Sequence, residues 1–335
     1  MFKEIHSVTT MTPQRISFVG GGTDLPDFYR INGGSVLSST INKYIYVTVK
    51  RHSKLFEENY RLSYSITEHV NSIQDIQNEI ARECLNLINI DGPLYISTAA
   101  DLPAQSGLGS SSSFAVGLLH ALHVMRGENV SAIQLAEEAC YIEINRLKRP
   151  IGKQDQYAAA FGGLNFFEFQ KNENVKILPI ALNKDVEKIL FNDALLFWTG
   201  MQRESQTILS VQAKGIKDNI EILEKMAKQA EQLQNDLQSN NINLKKIAQY
   251  IKYGWELKES LAEGITNKVI SDAYKEAINS GAEGGKLLGA GGGGFLYFLA
   301  EKIHHEKIIT TLNQMPVVPV KFEPRGSAVT SILRV

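Results

Sequence analysis

The chain has 335 residues, with 35 basic and 36 acidic side chains and a net charge of −1. That balance gives no global electrostatic case for nucleic acid or an anionic membrane surface as partner. An apolar content of 43 % against 21 % charged residues is that of an ordinary globular chain, long enough for one large or two ordinary domains. No run of 18 apolar residues occurs, so no membrane span is expected. The opening Met1-Phe-Lys-Glu-Ile-His6 lacks the apolar core of a signal peptide. The two cysteines, Cys84 and Cys140, fit buried free thiols in a reducing compartment, and the expected location is the cytoplasm.

In chain order, residues 15–19 read as a short strand ending in Gly20-Gly-Gly-Thr-Asp24. Three successive glycines suggest that something approaches the backbone closely. Residues 35–41 and 44–49 read as two strands, the second rich in β-branched and aromatic side chains. A helix is expected over 73–88, then a strand from 92 to 99. Residues 131–148 form another helix with Ser131 as N-cap. Pro150-Ile-Gly-Lys-Gln-Asp-Gln156 leads through small residues to a strand over 164–169. Beyond about residue 182 the character changes. A buried strand at 194–198 precedes long helices over 204–238, 243–263 and 267–279. A strand at 295–299, a helix at 304–314 and two short strands complete the chain. The pattern is α+β in two halves, residues 1–185 and 186–335.

The stretch Asp101-Leu-Pro-Ala-Gln-Ser-Gly-Leu-Gly-Ser-Ser-Ser-Ser-Phe114 joins a strand to a helix. Free N–H groups and the helix dipole make such a junction an anion site, glycines let phosphate oxygens come close, and serine hydroxyls add donors. A serine-capped turn would need one serine, not four. No Walker A string, Gly-x4-Gly-Lys-Ser/Thr, occurs, so any phosphate would be held by backbone and hydroxyls rather than by a P-loop lysine. A second loop, Gly289-x-Gly291-x-x-Gly294, has the spelling of a dinucleotide fingerprint. It opens a strand instead of a helix and has no acid about 20 residues on, which excludes a Rossmann dehydrogenase. Its five glycines in six positions again ask for a close partner.

Three motifs in order resemble the GHMP kinase superfamily: Pro13-Gln-Arg-Ile-Ser-Phe-Val-Gly-Gly-Gly-Thr-Asp24, Pro103-Ala-Gln-Ser-Gly-Leu-Gly-Ser-Ser-Ser112 and Lys286-Leu-Leu-Gly-Ala-Gly-Gly-Gly-Gly294. Residues 150–156 look like the galactokinase segment that carries the catalytic aspartate. Within the superfamily, the string from Arg15 to Tyr29 is most similar to the D-glycero-D-manno-heptose 7-phosphate kinases, which phosphorylate the anomeric oxygen. The resemblance implies a two-domain α+β fold, with a ribosomal-S5-like N-terminal domain and a ferredoxin-like C-terminal domain.

It also implies ATP and Mg²⁺ as cofactors and a sugar phosphate as substrate. Gln105, Ser106, Gly107, Leu108, Gly109, Ser110, Ser111 and Ser112 would hold the nucleotide phosphates, with Ser111 and Glu143 as metal ligands. Asp155 would accept the sugar hydroxyl proton, and Arg15 would keep it ionised and steady the moving phosphoryl. Galactokinases carry Glu at the position of Gly21. Its loss here removes a carboxylate that would repel a sugar's phosphate tail, so Gly20, Gly21, Gly22, Thr23 and Asp24 are expected at the sugar, with Gly291 and Gly292. The tail phosphate would want a cation, for which Arg203 ranks first, then Lys153 and Arg325. A kinase of an unphosphorylated sugar and a silent sugar- or nucleotide-binding regulator on the same fold are the competing readings. A homodimer is compatible with the sequence.

Overall fold

The computed structural model describes residues 4–202, 205–239 and 242–335, with the backbone alone for 205–207. The first half runs β1 (Ile5–Val19), α1 (Pro26–Asn32), β2 (Gly34–Arg51), β3 (Tyr60–Ser63), β4 (Thr67–Val70), α2 (Glu79–Ile88), β5 (Leu94–Ala100), α3 (Ser110–Met125), α4 (Ala132–Cys140), α5 (Gln154–Phe161), β6 (Leu164–Phe169) and β7 (Val175–Pro179). The second runs α6 (Lys184–Glu187), β8 (Ala194–Trp198), α7 (Ser205–Lys214), α8 (Ile220–Gln238), α9 (Leu244–Glu259), α10 (Lys268–Asn279), β9 (Gly284–Leu287), β10 (Phe295–Leu299), α11 (Lys302–Thr311) and β11 (Ala328–Arg334).

Among the described residues, eight strands form one sheet. Its main order is β11-β1-β2-β5-β3-β4, with β6 on β2 and β7 on β6, while β8-β10-β9 form a second sheet. The two strands expected at 35–41 and 44–49 are one continuous strand. Its first part, from Gly34 to Ser39, pairs with β6, and its second, from Ile45 to Arg51, pairs with β5. A register shift against β1 falls between Pro13 and Gln14, which face Tyr44 and Ile41. Pro13 has no N–H for the ladder, and the bulge accommodates it. The break read at residues 42–43 is therefore a change of partners within one strand.

Other boundaries moved for local reasons. The helix expected over 73–88 is a 3₁₀ turn at Ile73–Asp75 followed by α2, which Asn78 caps through Ala81 N–H at 3.0 Å. The helix at 131–148 is α-helical only to Cys140, and residues Tyr141–Arg146 widen into a π-turn, a distortion common at functional sites. The small residues after Asp155, given no element by the sequence, form α5, burying Ala158, Ala159 and Ala160. The expected 204–238 helix breaks at Gly215 into α7, a 3₁₀ turn and α8. One closing strand is present, and Val317 and Phe322 make isolated bridges where a second was expected. Strand β11 pairs antiparallel with β1, Ile5 opposite Arg334, so the end of the chain belongs to the first sheet.

The halves share a core. Ile16, Phe18 and Leu37 of the first sheet pack in one cluster with Leu233, Ile247, Ile251 and Tyr297 of the second half. Burial of such side chains contributes about 1.5–3 kcal/mol each. Beside this core the two glycine-rich loops meet backbone to backbone. A Cβ on Gly107 would lie 2.6 Å from Leu288 O, one on Gly289 would lie 2.3 Å from Gly107 Cα, and one on Gly294 would lie 2.4 Å from Ser106 O. The close partner demanded by the second loop is thus largely the first loop. Cys84 and Cys140 are buried free thiols, and no helix among the described residues is long and apolar enough to cross a membrane.

Gly289 has φ +74°, a left-handed conformation that strains other residues. Gly289→Ala is therefore expected to lower unfolding free energy by roughly 1–3 kcal/mol, measured by chemical denaturation. An unchanged midpoint would mean that the loops separate freely.

Candidate active site

The cleft lies where the two loops, the Gly20–Asp24 turn and the start of α5 converge. Its lining includes Arg15, Asp24, Ser106, Ser111, Asp155 and Lys258. Gly109, at φ +79°, ends the serine loop and starts α3, so the first N–H groups of that helix open onto the cavity side of the loop.

Each serine of the run Ser110–Ser113 has a partner. Ser110 Oγ accepts from Gln14 Nε2 at 2.6 Å, and Ser113 Oγ donates to Pro13 O at 2.9 Å. Ser111 and Ser112 donate to the two oxygens of Glu143 at 2.8 and 2.7 Å. Glu143 is fully buried in the π-turn and also accepts from Gln156 Nε2 at 2.8 Å and Arg149 Nη1 at 3.3 Å. Burial pushes its carboxyl above the usual range, against the pull of the serine hydroxyls and Arg149. Leu108, expected at the nucleotide, has its side chain in the shared core; it contributes its carbonyl, which accepts from Arg15 N at 3.1 Å.

At the cleft floor Arg15 and Asp155 form a two-pronged pair. Nε donates to Oδ1 and Nη2 to Oδ2, both at 2.7 Å, while Nη1 donates to Gly107 O at 2.8 Å. The fork fixes the plane of the carboxylate, and Asp155's place in the first turn of α5 adds the favourable end of a helix dipole. Gly109 leaves room for it, since a Cβ there would lie 3.2 Å from Asp155 Oδ2.

The glycine turn divides into support and wall. A Cβ at Gly20 would lie 1.9 Å from Ser35 O. Thr23, expected at the sugar, is fully buried, its hydroxyl donating to Gly20 O at 2.8 Å and to Ser35 O at 3.0 Å. Both residues hold the turn to β2 and do not line the cleft. Gly21, Gly22 and Asp24 do. Asp24 accepts from Gly22 N at 3.0 Å, Gln154 N at 3.1 Å and Gln154 Nε2 at 3.2 Å. Burial pushes its carboxyl up, with Asp155 adding to the shift and the backbone donors opposing it.

The expected cations are elsewhere. Lys153 donates to Glu173 Oε2 at 2.7 Å and lies over the Tyr29 ring, 5.0 Å from its centre, in a different cavity. Arg325 pairs with Glu323 at 3.2 Å on the surface. Gly291 packs against Ile265 and Gly292 N donates to Ile265 O at 2.7 Å, so neither faces the cleft. Arg203 lies outside the described residues. The cleft instead holds Lys258 and Lys286, both buried. Lys286 Nζ donates to Ser17 O at 2.9 Å and Phe18 O at 2.8 Å. Lys258 had a sequence signal, because it continues the buried stripe Ile247, Ile251, Trp255 of α9 at helical spacing, where a lysine is out of place. Beyond the serine loop a second cavity is walled by Ile45, Tyr64, Asn78, Ala104 and Phe114 and shares Ser110 and Ser111 with the cleft.

Residues 71–163 match the GHMP kinases N terminal domain and residues 220–317 the GHMP kinases C terminal domain. The chain belongs to the GHMP kinase family. As a GHMP kinase it is an enzyme that transfers phosphate, with ATP as donor. It is 31 % identical to the D-glycero-alpha-D-manno-heptose 7-phosphate kinase of Campylobacter jejuni, over 92 % of this chain and 94 % of that protein. It is 25 % identical to the galactokinase of Pyrococcus furiosus, over 88 % and 89 %. The crystal structure of a D-glycero-D-manno-heptose 1-phosphate kinase from Bacteroides thetaiotaomicron superposes with a TM-score of 0.79 at 25 % identity, covering 97 % of this chain and 99 % of that one.

A Cβ at Gly152 would lie 1.9 Å from Asp24 Oδ2. Gly152→Ala should therefore displace the Asp24 carboxylate and lower kcat/KM by about 100-fold, the scale of an ångström-sized misplacement. Steady-state ADP release checks this; wild-type kinetics would mean that Asp24 does not order the site.

Proposed function

We propose that this kinase transfers the γ-phosphoryl of ATP to the anomeric 1-hydroxyl of D-glycero-alpha-D-manno-heptose 7-phosphate, giving the 1,7-bisphosphate for nucleotide-activated heptose synthesis. The observation that carries the reading is the open wall at Gly21, beside Asp24 and the Arg15–Asp155 pair. A Cβ there would approach only Ser17 Oγ, at 3.2 Å, and Gln154 Nε2, at 3.6 Å. A galactokinase-like glutamate would fill this wall with charge, whereas glycine leaves it open to an anionic tail. Similarity to the Campylobacter jejuni enzyme supports the same acceptor.

In the proposed reaction the sugar O1 attacks the γ-phosphorus, the bond from that phosphorus to the β–γ bridging oxygen breaks, and ADP leaves. Asp155 accepts the hydroxyl proton, and Arg15 holds the carboxylate in plane and balances its charge. Asp24, held by the three N–H groups from which it accepts, orients sugar hydroxyls. The cavity beyond the serine loop, apolar on most of its wall, suits the adenosine end of ATP. The hard-oxygen pair of Ser111 and Glu143, joined at 2.8 Å, suits Mg²⁺. Ser111 faces the cleft and would ligate it, Glu143 standing behind with its charge, and phosphate oxygens and water completing the shell. When bound, the ion would neutralise phosphate charge.

Mg²⁺-dependent ADP release is to be measured with heptose 7-phosphate, mannose 6-phosphate, galactose, fucose and mevalonate, with phosphorus NMR on the product. The expected result is strong preference for the heptose phosphate and a new anomeric phosphate signal; preference for a free sugar would overturn the proposed acceptor. Asp155→Asn should lower kcat by about 100- to 10,000-fold with the KM for ATP unchanged. Gly21→Ala should melt like the wild type, because the Ser17 hydroxyl can turn aside, yet raise KM for the heptose phosphate by roughly tenfold. Unchanged KM would show that the tail does not pass that wall.

A further inference from the structure

We infer that Lys258 is a phosphoryl-binding residue of the cleft, donating to the non-bridging oxygens of an anionic group that this GHMP kinase handles. The inference deepens the reading above and rests on it only for the choice of acceptor. Lys258 reaches the cavity from the last turn of α9. It is 6 % exposed, and its one hydrogen bond among the described residues goes to a neutral group, Gly289 O. An ammonium has three donors, so two remain. A buried cation that meets no carboxylate is costly and is expected to meet an anion in the working enzyme.

Charge across the cleft supports the same conclusion. Among the described residues, its lining carries three cations, Arg15, Lys258 and Lys286, against two carboxylates, Asp24 and Asp155. Arg15 is committed to Asp155, and Lys286 to two carbonyls of β1. Among the described residues of the lining, Lys258 is the cation left to serve a ligand. Ser106 Oγ and Ser17 Oγ, also buried in this lining, have no hydrogen-bond partner among the described residues, so further unpaired hydroxyls line the same cavity. Burial first, and then Arg15, brings the Lys258 ammonium down to about 8, with Asp24 and Asp155 pulling the other way; Lys286 is the remaining charged neighbour. The anion has two sources of the same chemistry, the acceptor's own phosphate or the γ-phosphoryl in transfer.

The test compares wild type, Lys258→Met and Lys258→Arg with heptose 7-phosphate and unphosphorylated heptose. Lys258→Met should lower kcat/KM roughly 10- to 100-fold, with Lys258→Arg recovering part of the loss. A rise in KM confined to the phosphorylated acceptor identifies the tail phosphate; a fall in kcat with both acceptors identifies the transferred group. Unchanged kinetics, or a loss that arginine does not recover and that follows a lowered melting temperature, would overturn the assignment in favour of a strut for the Gly289 loop. If Lys258→Met does not fold, the pH profile decides. Wild-type kcat/KM should fall as the ammonium is lost above about pH 8, and arginine should move that limb upward; the same limb in both overturns the assignment. One arm needs no acceptor. Inorganic phosphate titrated calorimetrically into the ADP-bound protein should bind at least tenfold more weakly to Lys258→Met, and equal affinities would overturn the assignment. A wild type inactive on heptose 7-phosphate would defeat the proposed acceptor alone.

Discussion

The contact of Gly107 with Gly289 and of Ser106 with Gly294 governs the rest of the structure. At these points two loops approach more closely than any side chain would allow. The first loop carries the start of α3, and the second runs into β10. Holding them together fixes how the two halves stand around the cleft and where Arg15, Asp155 and Lys258 sit relative to the serine hydroxyls. Glycine's conformational freedom is costly in an unfolded chain. Here it is spent on docking two backbones, with the shared core of Phe18, Leu233 and Tyr297 providing the apolar burial that offsets that cost.

The site's electrostatics follow from that docking. A fork of two 2.7 Å hydrogen bonds keeps Asp155 oriented without a third side chain. Glu143 sits behind the serines, its four donors offsetting part of the cost of complete burial. Between these two centres the cavity wall is largely glycine and serine, which lets a ligand touch backbone N–H groups directly. Such walls suit phosphoryl transfer, where positioning and charge balance matter more than covalent participation by the protein.

Much of this was legible in the chain because it is local. The serine loop, the glycine turn and the α+β alternation are written in consecutive residues, and Arg15 and Asp155 each stand inside a recognisable string. What was not legible depends on distant partners. Strand β2 looked like two strands because its halves answer to β6 and β5. The role expected for Lys153 fails because Glu173, 20 residues further on, holds it, whereas the partner of Arg325, Glu323, is a sequence neighbour. Gly291 and Gly292 serve a turn against Ile265, which lies 26 residues before Gly291 in the sequence. Lys258 is the opposite case: its position in an apolar helical stripe was visible, but only the fold shows that the stripe ends at a polar cleft.

The pairing of Ile5 with Arg334 has a consequence for how the protein is made. Strand β1 leaves the ribosome well before its outer neighbour β11, since nearly all the other elements lie between them in the chain. Until then the N-terminal half carries an open strand edge, the kind of surface that recruits foreign strands. Closing it requires a contact spanning almost the whole chain, which is slow to form. The enzyme is therefore most exposed to misassembly in the interval before β11 emerges.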